Sequence, residues 1–170
     1  MKKVLVTGGT QGVGLATVNL LLEQGYEVHI TYRRSAGKAE ELMKEYPGRV
    51  FAYKLDQGNL NEIVNADWLT EHDWYGVVFN AALGSGTVKE YAEQGDPLKA
   101  ANDIAMMHVN ALGPLWIYKK IEPTLLKKET PSKLVFMSSV GGGIACFPKF
   151  TLSDGMSKCA VAYLAKQVAA

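Results

Sequence analysis

The run Thr7-Gly8-Gly9-Thr10-Gln11-Gly12-Val13-Gly14 directly follows a short apolar stretch and opens a segment of helical period. Glycines in such a turn permit positive φ and let backbone N–H groups approach a diphosphate, whose charge a helix N-terminus favours. Strand, glycine turn and helix, in that order at the head of a chain, predict a nucleotide-binding βα unit. Gly8, Thr10, Gln11, Gly12, Val13 and Gly14 are then its candidate phosphate-binding residues. A glycine cluster alone would equally suit a structural loop; its placement carries the reading. The run lacks Gly-Lys-Ser/Thr, which excludes the phosphate loop of ATPases.

The rest of the chain repeats the unit. Short β-branched runs at 4–7, 27–32, 50–55, 75–79 and 134–137 alternate with helix-period segments at 15–23, 39–46, 60–64, 98–121 and 155–168. Leu15, Val18, Leu21 and Leu22 share one helix face, and Gly25 is placed to end that helix. Tyr46-Pro47-Gly48 stops the second helix. The runs 4–6, 77–79 and 134–136 are apolar on consecutive residues, as parallel strands covered on both faces are. With right-handed crossovers this predicts an α/β fold, a doubly wound parallel sheet of Rossmann type in the order 3-2-1-4-5. A ligand crevice is expected at the carboxyl ends of strands 1 and 4, rimmed by loops at 84–97 and 141–153.

The 170 residues, 48% hydrophobic and 21% charged, suit one folded domain over 1–170. A net charge of +1 offers no one-signed field for nucleic acid or an anionic membrane. The apolar stretch after Met1-Lys2-Lys3 is too short for a leader or a membrane span, so a cytoplasmic location is expected. Cys146 and Cys159 make no disulfide framework and no zinc-ligand spacing, and both read as reduced thiols. His29, His72 and His108 stand far apart and are assigned no chemistry; no metal site is expected.

Thr7, Gly8, Gly12 and Gly14 match the Thr-Gly-x-x-x-Gly-x-Gly fingerprint of the short-chain dehydrogenase/reductase family, which the whole chain resembles. The resemblance implies that Asp56 contacts adenine and that Asn80-Ala81-Ala82 corresponds to the family's Asn-Ala-Gly motif, giving Asn80 and Ala81 as cofactor-binding residues. Asn110 resembles the family's helix asparagine. Met137-Ser138-Ser139-Val140-Gly141-Gly142 resembles its catalytic-serine strand end, with Ser139 preferred because it precedes Val140-Gly141; Ser157-Lys158 resembles the end of its Tyr-x-x-x-Lys motif. Such a fold takes NAD with a carboxylate at the end of strand 2 and NADP with cations there. Here the residues are Thr31-Tyr32-Arg33-Arg34-Ser35, so Arg33 and Arg34 predict NADP(H) as cofactor; a solvated cation pair is the plainer alternative.

By the resemblance, Ser139 polarises a substrate carbonyl, Asn110 holds a water in a proton relay, and Lys158 holds the nicotinamide ribose and tunes a tyrosine. That tyrosine is missing: four residues before Lys158 stands Asp154. An aspartate in water, with a pKa of about 3.9, carries a proton in roughly one molecule in a thousand at pH 7 and is a poor donor. Asp154 is open to three readings: a base, an N-cap carboxylate of the last helix paired with Lys158, or an engineered replacement. Tyr118 and Tyr163 are placed too far off to substitute.

The family usually continues past the last helix with two more strands and a substrate loop, so the chain reads as a domain incomplete at its C-terminus. Ile104, Leu112, Leu115, Val161 and Leu164 read mostly as core, although the resemblance also implies a homo-oligomer through these helices. The expected function is NADP(H)-dependent interconversion of an alcohol and a carbonyl in a small-molecule substrate. The rivals are a silent NADP(H)-binding module acting through a partner, and a redox-neutral lyase or isomerase using Asp154 and Lys158.

Overall fold

The computed structural model describes residues 1–140 and 145–170. Gly141 and Gly142 of the serine motif lie outside the described residues. Five parallel strands, β1 (Lys3–Val6), β2 (Glu27–Tyr32), β3 (Val50–Lys54), β4 (Trp74–Phe79) and β5 (Lys133–Phe136), form one sheet in the order β3-β2-β1-β4-β5. Val4 faces Val28, and Val77 faces Leu134, in parallel register. The winding reverses between β1 and β4, where the crevice is expected.

Alternation along each strand divides the core. Val4, Val6, Val28 and Ile30 pack with Val18 and Leu22 of α1 (Gly12–Glu23) and Ala39 and Leu42 of α2 (Ala36–Glu45). Leu5, Val77 and Phe79 face the other way, against Ile63 of α3 (Leu60–Val64) and Ile117 and Ile121 of α5 (Gly113–Leu125). Burying each such side chain contributes about 1.5–3 kcal/mol. Val135 on the edge strand β5 is 47% exposed, while Phe136 stacks on Phe79 with centroids 4.4 Å apart.

Two elements depart from the sequence reading. The helix expected over 98–121 is α4 (Ala100–Met107), a π-turn at His108–Leu112, and then α5. Pro114 explains the turn: it has no N–H for the Asn110 carbonyl and its ring would press on that carbonyl, so the helix widens just before it. The last helix, α6 (Leu152–Ala169), begins before the expected 155, because Thr151 caps it. Among the apolar residues read as core, Val161 is buried but Ile104 is 56% exposed, which overturns that reading for Ile104. No helix among the described residues is long and apolar enough to cross a membrane.

Candidate active site

The ends of β1 and β4 are tied by two side chains. Thr7 Oγ1 accepts hydrogen bonds from the N–H groups of Asn80 and Ala81, each 3.0 Å. Asn80 Nδ2 donates to the carbonyls of Thr7 at 2.9 Å and Gly8 at 3.2 Å. Asn80 thus spends its amide on the glycine turn itself. Gly8 holds φ +68°, and its N–H donates to Thr31 Oγ1 at 3.1 Å, fastening the turn to β2. A Cβ on Gly14 would lie 2.2 Å from the Gly8 carbonyl oxygen, so α1 packs as close as only glycine permits.

The start of α1 is left open. Gln11 is its N-cap but makes no capping hydrogen bond, and no acidic residue lies in the first turn. The amides of Gly12, Val13 and Gly14 therefore present the unsatisfied donors of a helix N-terminus, and a Cβ on Gly12 would meet nothing within 4 Å. This uncapped, glycine-cleared end fits a bound diphosphate. It opens on a cleft of about 580 Å³ whose walls include Gly8, Thr10, Gln11, Gly12, Val13, Gly14, Arg33, Arg34, Asp56, Asn80 and Ala81. All the cofactor-binding candidates named from the sequence, apart from Lys158, thus share one cleft. Asp56 turns one oxygen to the Gly58 N–H at 2.9 Å and holds the other 3.8 Å from Arg33.

Three residues of this region had no signal in the sequence. Gln57 Nε2 donates to the carbonyls of Ala81 at 2.8 Å and Val109 at 2.7 Å, joining the β3 end to β4 and the π-turn. Glu90, on a 3-10 turn at Val88–Tyr91, reaches back to the cations: its two oxygens lie 2.5 Å from Arg33 Nη2 and 2.5 Å from Arg34 Nη1. Hydrogen bonds from Arg34 and Arg33 hold the Glu90 carboxyl below the usual range. Arg33 also donates to Tyr91 Oη. Ser85 is the third, and its hydroxyl donates to Asp154.

The catalytic candidates form a second network beside the cleft. Asn110, 1% exposed in the π-turn, accepts from the Leu83 N–H at 2.7 Å and donates to the Leu83 carbonyl at 2.9 Å and to Ser157 Oγ at 3.1 Å. Its amide clamps the β4–α4 loop to α6. Asp154 is not the N-cap of α6. Thr151 takes that position, accepting from the Asp154 N–H at 3.3 Å, and Asp154 stands at the third helical residue. The Asp154 carboxylate accepts from Ser85 Oγ at 2.8 Å, and Ser85 Oγ accepts from the Thr151 N–H at 3.1 Å. This is a capping box closed through a serine from another loop. Lys158 donates from Nζ to the Met137 carbonyl at 3.1 Å, and Ser138 Oγ donates to the Lys158 carbonyl at 2.9 Å, so α6 is stitched to the end of β5. Burial lowers the Lys158 pKa, and the charge of Asp154 opposes that shift. Ser139 follows at the same strand end, partly buried. Tyr118 donates to Glu122, and Tyr163 is 67% exposed and donates to Gln167; both lie away from this network.

A doubly wound sheet with an open, glycine-cleared helix start at its switch point defines a Rossmann-type domain. The short chain dehydrogenase family model matches residues 2–170, and the chain belongs to that family. It is 29% identical over 180 residues to an NADP-dependent mannitol dehydrogenase of Hypocrea jecorina, and 25% identical over 183 residues to a D-arabinitol 2-dehydrogenase (ribulose-forming) of Candida tropicalis. Each match takes in 99% of this chain and 64% of the other protein. Among solved structures, a short-chain dehydrogenase from Streptomyces avermitilis shares the fold with a TM-score of 0.81 at 24% identity, covering 99% of this chain and 59% of that one. A Burkholderia multivorans protein described as a short-chain dehydrogenase/reductase with bound NADP gives 0.77 at 22% identity, covering 99% and 72%.

Proposed function

We propose that the chain forms the cofactor-binding part of an NADP(H)-dependent oxidoreductase that interconverts an alcohol and a carbonyl. The observation that carries the reading is the convergence of two guanidinium groups, Arg33 and Arg34, on a single two-oxygen anion beside an uncapped helix start. Cations gathered in that way at the end of β2 suit a 2′-phosphate. The amides of Gly12, Val13 and Gly14 would hold the diphosphate, and Asp56 would meet the adenine. When bound, the cofactor supplies or accepts the hydride.

Ser139 orients the carbonyl oxygen. In this reading the proton for that oxygen comes from Lys158 Nζ, which burial makes a stronger acid than an ordinary lysine, because Asp154 spends its carboxylate on Ser85. Solvent then returns the proton to the amine. The relatives named for mannitol and D-arabinitol make a polyol and its ketose the first substrate pair to try. Exposed Ile104, Met156 and Tyr163 on α4 and α6 suit a homo-oligomer, and the free thiols of Cys146 and Cys159 suit a reducing, cytoplasmic setting.

Calorimetric titration with NADPH and NADH tests the reading. The expected result is tighter binding of NADPH, with the preference lost in Arg34→Ala. Equal affinities for the two, unchanged by that substitution, would overturn it.

A further inference from the structure

The cation pair that the NADP(H) reading needs is already engaged. Arg33 and Arg34 each give one N–H to a different oxygen of Glu90, both at 2.5 Å, and Arg33 lies over the Tyr91 ring at 5.5 Å from its centroid. A carboxylate held in this way presents what a phosphate would present to the same donors: negative charge spread over adjacent acceptor oxygens. Glu90 stands 56 and 57 residues away from its partners, on the wall of the same cleft.

The segment that carries it is seated by a buried side chain, while the carboxylate itself stays partly open to solvent. Val88 is 2% exposed, packed with Leu83, Ala105, Met106 and Val109, whereas the Glu90 side chain retains 31% exposure. The carboxylate can therefore leave the arginines by side-chain rotation while Val88 stays seated.

We propose that Glu90 is a built-in competitor for the cofactor's 2′-phosphate, a specificity-determining residue that NADP(H) must displace from Arg33 and Arg34 and that NAD(H) leaves in place. This rests on the NADP(H) reading. With the carboxylate removed, both guanidiniums are released for the phosphate and one repulsive charge is gone. For a pair of partly exposed ion pairs, the gain expected is about tenfold in affinity.

The probes are 2′,5′-ADP, which carries the 2′-phosphate, and 5′-AMP, which lacks it; neither has a nicotinamide. Calorimetry on the full chain is done with wild type, Glu90→Gln, Glu90→Ala and Arg34→Ala, after circular dichroism has shown that each is folded. In both Glu90 variants 2′,5′-ADP is expected to bind about tenfold more tightly than in wild type, with 5′-AMP unchanged. Two failures are distinguishable. If wild type prefers 2′,5′-ADP, and loses the preference in Arg34→Ala, yet neither Glu90 variant binds it more tightly, then Glu90 is no competitor and the NADP(H) reading stands. If wild type binds the two probes alike and Arg34→Ala changes nothing, the NADP(H) reading falls and takes this proposal with it.

Discussion

Replacing Gly14 by alanine tests how tightly the head of α1 is locked to the turn before it. The added Cβ would lie 2.2 Å from the Gly8 carbonyl oxygen and 2.5 Å from Asn80 Nδ2, so one side must move by about 1 Å to reach ordinary contact. Neither side yields easily. The Gly8 carbonyl belongs to a residue at φ +68° whose N–H is bonded to Thr31, and Asn80 is bonded to both Thr7 and Gly8. Overpacking of that kind costs about 3 kcal/mol, and disturbing the Asn80 bonds about 1 kcal/mol more. The better helix propensity of alanine returns about 1 kcal/mol. The net loss of about 3 kcal/mol corresponds to a fall in Tm of roughly 9 °C for a chain of this size.

Two other glycines give the comparison its sign. Gly12→Ala meets open space but keeps φ +55°, so it costs only about 1 kcal/mol of left-handed strain. Gly37→Ala, in the first turn of α2 with nothing within 4 Å, gains about 0.5 kcal/mol. Urea unfolding followed by circular dichroism, at a common slope, orders the three. A Gly14→Ala protein as stable as wild type, or more stable than Gly12→Ala, would refute the steric argument.

Removing Asn110 as Asn110→Leu leaves the buried N–H and C=O of Leu83 without their partner and is expected to cost about 3 kcal/mol in the same assay. His29, 1% exposed, is driven by burial to a pKa of about 4 although Glu27 opposes the shift. The unfolded chain therefore takes up this proton first: stability present above about pH 6.5 is lost as pH falls toward 4, and His29→Gln should flatten that part of a Tm-against-pH curve. On the proposed function, with Lys158 as proton donor, reductase activity should fall on an alkaline limb centred below the ordinary lysine range. Asp154→Asn, which keeps an acceptor for Ser85 but removes the charge that raises the Lys158 pKa, should move the limb to lower pH in a pH–rate profile.

Much of the sheet is legible in the sequence because burial on both faces leaves runs such as Val4-Leu5-Val6 without a polar residue. The segments 27–32 and 60–64 coincide with β2 and α3, each bounded by residues that stop a strand or start a helix; Asn59 caps α3 with its own side chain. The π-turn needs a finer reading, since hydrophobic period continues through it and only Gly113-Pro114 hints at the widening. The early start of α6 depends on Thr151 capping across three residues, a polar local signal that hydrophobic period does not register. Asp154 shows why residue type at a motif position is an incomplete guide: its carboxylate is engaged by Ser85, 69 residues away in sequence. Glu90 is harder still, because an ion pair between surface-type residues leaves no periodicity.

The stretch from Ser85 to Tyr91 is fastened at both ends and pinned in the middle: to the start of α6 at Ser85, to the hydrophobic cluster at Val88 and to the arginines at Glu90 and Tyr91. Its length is therefore a dimension of the molecule. One residue more or fewer between positions 85 and 90 would put either the helix start or the cation pair out of reach, so this short span has little of the freedom to vary in length that surface loops ordinarily have.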